Sequence, residues 1–386
     1  MAETYIAWIA IASLVVAAAG CVYALGAAMV VRGFAGDSGV LPAALLGVTV
    51  LKPLSGAEPG LYEDLASFCE QDYGGPVQIL FGVQDSADPA IGVVERLIAQ
   101  RPGRDLELVR HAPGRCSNPK VANLVALEQR IRHEVVVIAD ADIAVPRNYL
   151  AETMATLALP GVGAVTCLYR GVARGGVWAV LASMGIDYHF LPNVLVGLRL
   201  GLAHPCFGSS IALRRETLAA IGGFSAFADF IADDNAIGQA VRTTGSKVAI
   251  PPPILAHSCA EQSAGELLRH ELRWSRTVRA VDAWGSAGSI VTHPLPFALA
   301  GAALTGFGVV GGAMIAAAIA CRLVLQLQVD HTLHVSSKRW WLGPARDLLA
   351  FGIHVASFFV DVVSWRGARY KVGPDGTLTA LGEPKA

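Results

Sequence analysis

The sequence is short of charge. Only 16% of its 386 residues are Asp, Glu, Lys or Arg, where an ordinary soluble domain carries about a quarter. Thirty basic against 31 acidic residues leave a net charge of −1. With neither a basic stripe nor a charge excess, a nucleic-acid-coating or disordered chain is excluded. Paired cysteines are also missing. Cys21, Cys69, Cys116, Cys167, Cys206, Cys259 and Cys321 are scattered with no CxxC, so neither a disulfide scaffold nor a zinc site is expected, and a reducing compartment fits. Internal repeats and low-complexity linkers are absent. Apolar residues take the place of charge, at 53% of the chain and a mean hydropathy of +0.49. A purely soluble protein is therefore not expected, and the length implies about two domain-sized units.

The apolar excess lies at the two ends. No charge occurs from Tyr5 to Val31, and Arg32 closes the run. That is enough for a membrane span, which needs roughly 20 apolar residues. A cleavable signal peptide has a basic start and a shorter apolar region. Here only Glu3 precedes the run, so an uncleaved anchor over 5–31 is expected. A second apolar block, 291–329, is interrupted by Gly311-Gly312 and Arg322 and reads as transmembrane, a tight hairpin or partly interfacial. A third, from Leu348 to Trp365, holds one acid, Asp361, and 346–365 reads as a transmembrane helix. Arg366, Arg369 and Lys371 follow it. By the positive-inside rule these and Arg32 are cytoplasmic, with 366–386 a cytoplasmic tail. Lys338-Arg339 would then lie outside, which opposes a simple three-span arrangement.

The middle alternates β-rich runs with amphipathic stretches. Strands are expected at 47–51, 77–83, 106–109, 135–139 and 162–168. Pro59 and Pro119 suit the first turns of helices, and Asn118 suits an N-cap. The alternation predicts an α/β domain with a mostly parallel sheet and an active edge at the strand C-termini.

Polar residues gather at those ends. Lys52-Pro53 follows the first strand, Gln84-Asp85 the second, and Asp140-Ala141-Asp142 the fourth. Two carboxylates closing a buried strand repel each other, and a divalent cation shared with a diphosphate removes that cost. A solvated turn is the plainer reading of the same pattern. Aspartyl-phosphate phosphatases use a strand-end DxDx(T/V), but the fifth residue here is Ala144, which lacks the hydroxyl. Asp233-Asp234 opens a helical run, where acids complement the helix dipole or serve as a general base. Arg269, Arg273 and Arg276 share a helical face with spacing suited to lipid headgroups or a diphosphate. Trp274 stands beside them.

Together these clusters resemble the ceramide glucosyltransferase family of membrane glycosyltransferases. The resemblance covers about 47–280 and rests on KPLSGAEP (52–59), QDYGGPVQILFGVQDSADPAI (71–91), NPKVANL (118–124), FGSSIALRRETL (207–218), FADFIADDNAIG (227–238) and HELRW (270–274). It implies a GT-A (nucleotide-diphospho-sugar transferase) domain over 45–285, with one N-terminal and about two C-terminal transmembrane helices. It implies that Pro53, Asp85, Lys120 and Asp140 bind a UDP-sugar, that Asp140 and Asp142 hold Mg²⁺ or Mn²⁺, and that Asp234 is the base. Arg273 and Trp274 match the last two positions of the family's (Q/R)xxRW signature, whereas His270 stands where the family has Gln or Arg. The full DAD and the HELRW form look similar to a bacterial branch associated with hopanoid biosynthesis. The expected activity is inverting transfer of a hexose or N-acetylhexosamine to a membrane lipid, a hopanoid polyol or ceramide, at a bacterial inner membrane. A membrane transporter or scaffold is the non-enzymatic alternative, and the large α/β middle counts against it.

Overall fold

The computed structural model describes the whole chain except residues 35–44, 113, 115, 336–338, 361, 366–367, 374–375 and 382–386. Lys338, Asp361 and Arg366 therefore lie outside the described residues. The chain forms two compact units.

One unit comprises Gly36–Gly175, His204–Ala260 and Gly367–Ala386. Its strands are β1 (Val48–Pro53), β2 (Val77–Val83), β3 (Asp105–Arg110), β4 (Val135–Ile138), β5 (Ile143–Ala144), β6 (Val162–Thr166), β7 (Tyr169–Ala173), β8 (Ile211–Arg214), β9 (Lys247–Ala249) and β10 (Leu255–Cys259). Seven of them form a sheet in the order β3-β2-β1-β4-β8-β6-β9. β1 is parallel to both neighbours, with Leu51 opposite Leu80 of β2 and Ile138 of β4. All four residues of β4 are buried, as an apolar run covered on both faces should be. β8 runs antiparallel to β4 and β6, so the sheet is mixed. The five expected strands form with ends shifted by at most about two residues, within the usual uncertainty of element ends.

From β1 the chain moves outward to β2 and β3, then returns to the other side of β1 as β4. The strand order thus reverses between β1 and β4, and such sheets bind ligands outside the strand C-termini at that reversal. β10 pairs with β7 and β5 in a second small sheet. Leu51, Leu80, Leu124, Val136, Leu213 and Ile237 belong to one buried cluster behind these ends.

The helix Pro119–Glu128 starts as expected, with Asn118 Oδ1 accepting from the backbone N–H of Lys120 at 2.9 Å and of Val121 at 3.2 Å. Pro59 differs. The helix Leu61–Cys69 starts after Gly60, whose φ of +92° suits glycine, so Pro59 precedes the cap instead of entering the first turn.

The other unit comprises Met1–Ala35, Gly176–Ala203 and Glu261–Arg366. The helix Ala2–Arg32 has 31 residues, about 46 Å at 1.5 Å per residue. It packs on the helices Pro294–Leu304 and Val309–Leu333 through Ala17, Cys21, Leu295, Ala298 and Ala318. Small residues permit this approach; a Cβ on Gly20 would lie 2.6 Å from the Val291 carbonyl. Among the described residues, three helices are long and apolar enough to cross a membrane: Glu3–Arg32, Val177–Arg199 and Val309–Leu333. Ala283–Thr292 and Pro294–Leu304 form a bent pair with 60° between them.

Several boundaries differ from the sequence reading. Val177–Arg199 lies within the stretch expected to be wholly catalytic domain, and 261–285 also falls in this unit. The block 291–329 divides at Thr305–Gly308, where Gly306 and Phe307 take positive φ, and not at Gly311-Gly312. The helix expected over 346–365 occupies Gly343–Ser357 and has 15 residues, fewer than the roughly 20 a span requires. Beyond it, Val362–Trp365 is extended. Part of the expected tail is structured: Ala368–Val372 pairs antiparallel with Leu378–Ala380 in the sheet-bearing unit, and the Leu378 N–H donates to the Asp229 carbonyl at 2.7 Å.

Candidate active site

The strand reversal gathers four carboxylates and two ammonium groups. Asp140 and Asp142 leave the end of β4. Lys120 enters from the first turn of its helix and places Nζ 2.7 Å from Asp140 Oδ1 and 3.4 Å from Asp233 Oδ2. Asn118 Nδ2 donates to Asp233 Oδ1 at 3.3 Å. Asp233 is buried, so it is a structural partner of Lys120 as well as a helix-start acid. Asp234, the next residue of the helix Asp233–Thr243, accepts from the Gly208 N–H at 2.7 Å through Oδ2 and from the Asn235 N–H through Oδ1. Gly208 leaves room for this crowd. A Cβ there would lie 2.8 Å from Lys120 Nζ, 3.0 Å from Asp140 Oδ2 and 3.3 Å from Asp234 Oδ2.

Lys52 lies beneath the cluster. It is fully buried, donates to the Asp140 carbonyl at 2.5 Å and stands 4.1 Å above the Phe68 ring. Burial lowers its pKa to about 8, against the pull of Asp142 and Asp140. For Lys120 burial also disfavours the charge, but Asp140, Asp233 and Asp234 outweigh it and hold the ammonium well above the usual lysine range. Asp234 is raised to about 6, by burial first and by Asp233 second.

Asp142 accepts at its backbone carbonyl from the Ser258 N–H at 2.8 Å, and its Oδ2 lies 3.4 Å from His257 Nε2. Its Oδ1 is buried and accepts no hydrogen bond. An unmet carboxylate oxygen is costly, and it sits among carboxylates that outnumber the ammonium groups. Hard oxygen donors with surplus negative charge suit Mg²⁺ or Mn²⁺. Among the described residues no group of three His, Cys, Asp or Glu side chains is placed to hold a metal. Asp140 and Asp142 are the oxygen donors that fit such an ion here.

Pro53 ends β1 beside Gly82 of β2. Asp85 is exposed just past β2, and its Oδ1 accepts from the Ala87 N–H at 2.8 Å. His270, Arg273 and Trp274 lie together on the helix Ala264–Val281 of the other unit. There His270 Nδ1 is 2.7 Å from Glu261 Oε1, and its ring meets the Trp274 ring edge-on at 4.5 Å. Thr277 Oγ1 donates to the Arg273 carbonyl at 2.8 Å. The contributions of Gly208 and His257 were not apparent from sequence. A glycine before a strand and a single histidine within one carry no signal until the fold places them beside Asp140 and Asp142.

The model of glycosyl transferase family 21 matches residues 12–378. The chain belongs to glycosyl transferase family 21. This family 21 glycosyltransferase is 23% identical to ceramide glucosyltransferase 1 of Caenorhabditis elegans over 86% of its own length and 73% of the relative's. It is 25% identical to ceramide glucosyltransferase 3 of the same organism over 60% of its length and 50% of the relative's. With the ceramide glucosyltransferase of Candida albicans it shares 30% identity over 29% of its length and 22% of the relative's. Its fold is similar to a mannosyltransferase from Pyrobaculum calidifontis, solved with GDP-Man and Mn²⁺, with a TM-score of 0.51, 22% identity and coverage of 91% of this chain and 99% of that one. The α/β unit is a GT-A glycosyltransferase fold, and the chain is an enzyme of the ceramide glucosyltransferase family. The phosphatase and non-enzymatic readings are thereby set aside.

Lys120 ties this site together. Lys120→Met should destabilise the enzyme by on the order of 3 kcal/mol, because it leaves Asp233 buried without its cation. Chemical denaturation checks this, and an unchanged midpoint would contradict the role.

Proposed function

We propose that this glycosyltransferase is membrane-bound and inverting, and moves a hexose or N-acetylhexosamine from a UDP-sugar to the hydroxyl of a membrane lipid, a hopanoid polyol or ceramide. The observation that carries the reading is the carboxylate cluster at the β1/β4 reversal, with Asp142 Oδ1 buried and unmet and Asp234 held nearby. Pro53, Asp85 and Lys120 are assigned to the donor, with Lys120 and Asp140 beside its diphosphate. Asp142 with Asp140 would hold Mg²⁺ or Mn²⁺, which when bound neutralises charge on the departing diphosphate. Asp234 accepts the proton of the lipid hydroxyl as that oxygen forms its bond to the anomeric carbon and UDP departs. The backbone N–H groups of Gly208 and Asn235 fix the orientation of this carboxylate. Arg273 and Trp274 are assigned to the same reaction, Arg273 as a cation for the diphosphate. His270 is assigned a supporting place beside Trp274, oriented by Glu261.

Membrane anchoring is supported by three apolar helices among the described residues. Arg32 closes the first of them, and we assign it to the cytoplasmic side of a bacterial inner membrane, where nucleotide sugars are made. In a variant stripped of native cysteines, Arg32→Cys should resist an impermeant thiol reagent applied from outside. Labelling from outside would reverse the orientation.

Mass spectrometry of lipids from cells with and without the chain tests the function. A lipid heavier by one hexose or N-acetylhexosamine should appear only with the chain, and its absence under expression would count against the proposal.

A further inference from the structure

The helical unit contains a buried polar cluster that the reaction above does not use. Arg322, in the helix Val309–Leu333, donates to both carboxylate oxygens of Asp347 at 2.9–3.1 Å and to the Tyr188 carbonyl at 3.1 Å. His189 Nε2 lies 3.0 Å from Asp347 Oδ1. These groups satisfy one another. Charges within membrane-spanning helices are expensive and normally mark function.

Three histidine rings continue from this pair. His293 stacks on His189 with centroids 5.7 Å apart, and His354 tilts against His293 at 5.6 Å. His293 and His354 are only 7% and 8% exposed, yet His293 Nδ1 and His354 Nε2 make no hydrogen bond. Each buried unmet nitrogen carries a desolvation cost. The chain bends here as well, because His293 is the junction of the helix pair that meets at 60°. Broken helices at membrane depth occur where backbone lines a protein-enclosed polar site. Phe351 and Phe358 pack on the rings of His293 and His354 at 5.8 and 5.3 Å, and Phe297 packs on Phe351.

We infer that His293 and His354 form a binding site for a hydroxyl of a membrane lipid other than the one that takes the sugar, with its hydrocarbon against Phe297, Phe351 and Phe358. A neutral imidazole offers one donor and one acceptor. A hydroxyl, which both donates and accepts, answers the free nitrogens in either tautomer. The aromatic border suits an amphipathic molecule. The inference rests on the reading that the enzyme's acceptor is a membrane lipid, and it assigns recognition of a second, non-reacting hydroxyl to the helical unit.

The test is photolabelling of the full chain in nanodiscs with a ceramide carrying a diazirine in its acyl chain, compared with its 3-O-methyl ether, which leaves the hydroxyl that takes the sugar unaltered. The free-hydroxyl probe should label the segments around His293 and His354 roughly fivefold more than the ether, the worth of one net hydrogen bond. The double variant His293→Phe, His354→Phe keeps the rings and removes the nitrogens, and should bring the ratio to about one with its melting transition retained. Equal labelling of the native chain by both probes would overturn the inference, since a trapped water then suffices. A retained ratio in the folded double variant would overturn it too. If that variant does not fold, His354→Phe alone should lower the ratio, and no change would count against the site. Labelling needs neither donor nor turnover, so a failure of sugar transfer leaves this result readable.

Discussion

Asp234→Asn should lower kcat by roughly 10²–10⁴-fold, the usual contribution of a general base, with the donor dissociation constant little changed. Asparagine keeps the shape but has a single acceptor oxygen, so it retains one of the Gly208 and Asn235 N–H bonds and loses the other together with the proton acceptor. The titration of the native residue gives a second readout. Burial and Asp233 raise Asp234 to about 6. The base works when deprotonated, so kcat should fall as pH drops through about 6 and level off above it. That acid limb should be absent from the residual activity of Asp234→Asn. Turnover alongside calorimetric donor binding decides the matter. Near-native turnover would exclude Asp234 as the base. Asp233→Asn should instead act mainly on stability, because Asp233 is held by Asn118 and Lys120. A variant that folds normally but is inactive would reverse the assignment.

Asp142→Asn is expected to have an effect of similar size through a different route. Its Oδ1 is the buried oxygen without a partner, and Asp142 lies at the strand reversal. Losing one ligand of a catalytic cation costs several kcal/mol of transition-state stabilisation, about a thousandfold in rate at 1.36 kcal/mol per decade. The variant should fold, since the backbone contact with Ser258 remains. Its activity should rise less with added Mn²⁺ than the native enzyme's. Near-native turnover, or full native activity in EDTA, would refute the metal role.

The parts visible from sequence were those encoded locally. A run such as Val135–Ile138 is buried on both faces and reads as a strand by itself, and carboxylates directly after it mark the edge of the sheet. Asn118 with Pro119 is likewise a local start signal. β8 and β10 depend on distant partners: IALR and LAHSC take their places only through β4, β6, β5 and β7. The helical stretch Val177–Arg199 was hidden by Asp187, His189 and Asn193, which dilute its hydropathy to 1.2 against 2.3 for the N-terminal helix. At the other end, the apolar run past Ser357 was too uniform to reveal that helix gives way to extended chain by Val362.

The same division holds at the site. Asp140, Asp142 and Asp234 stand in motifs, and the fold brings the first and last of them to the two sides of Gly208. Lys52 was visible only as a residue after a strand; its burial beneath Asp140 follows from the pairing of β1 with β4. His257 reaches Asp142 because β10 pairs with β5, a contact between residues more than a hundred positions apart.

The central claim is that the sugar goes from a UDP-sugar to a lipid hydroxyl. Its most direct test is stoichiometry with the purified enzyme in nanodiscs, following UDP release and lipid glycoside together. The account predicts one glycoside per UDP, both dependent on the lipid and on divalent cation, from UDP-glucose or UDP-N-acetylglucosamine with ceramide or a hopanoid polyol. UDP released in full with sugar appearing only in water, or no UDP release with any of these pairs, would contradict it.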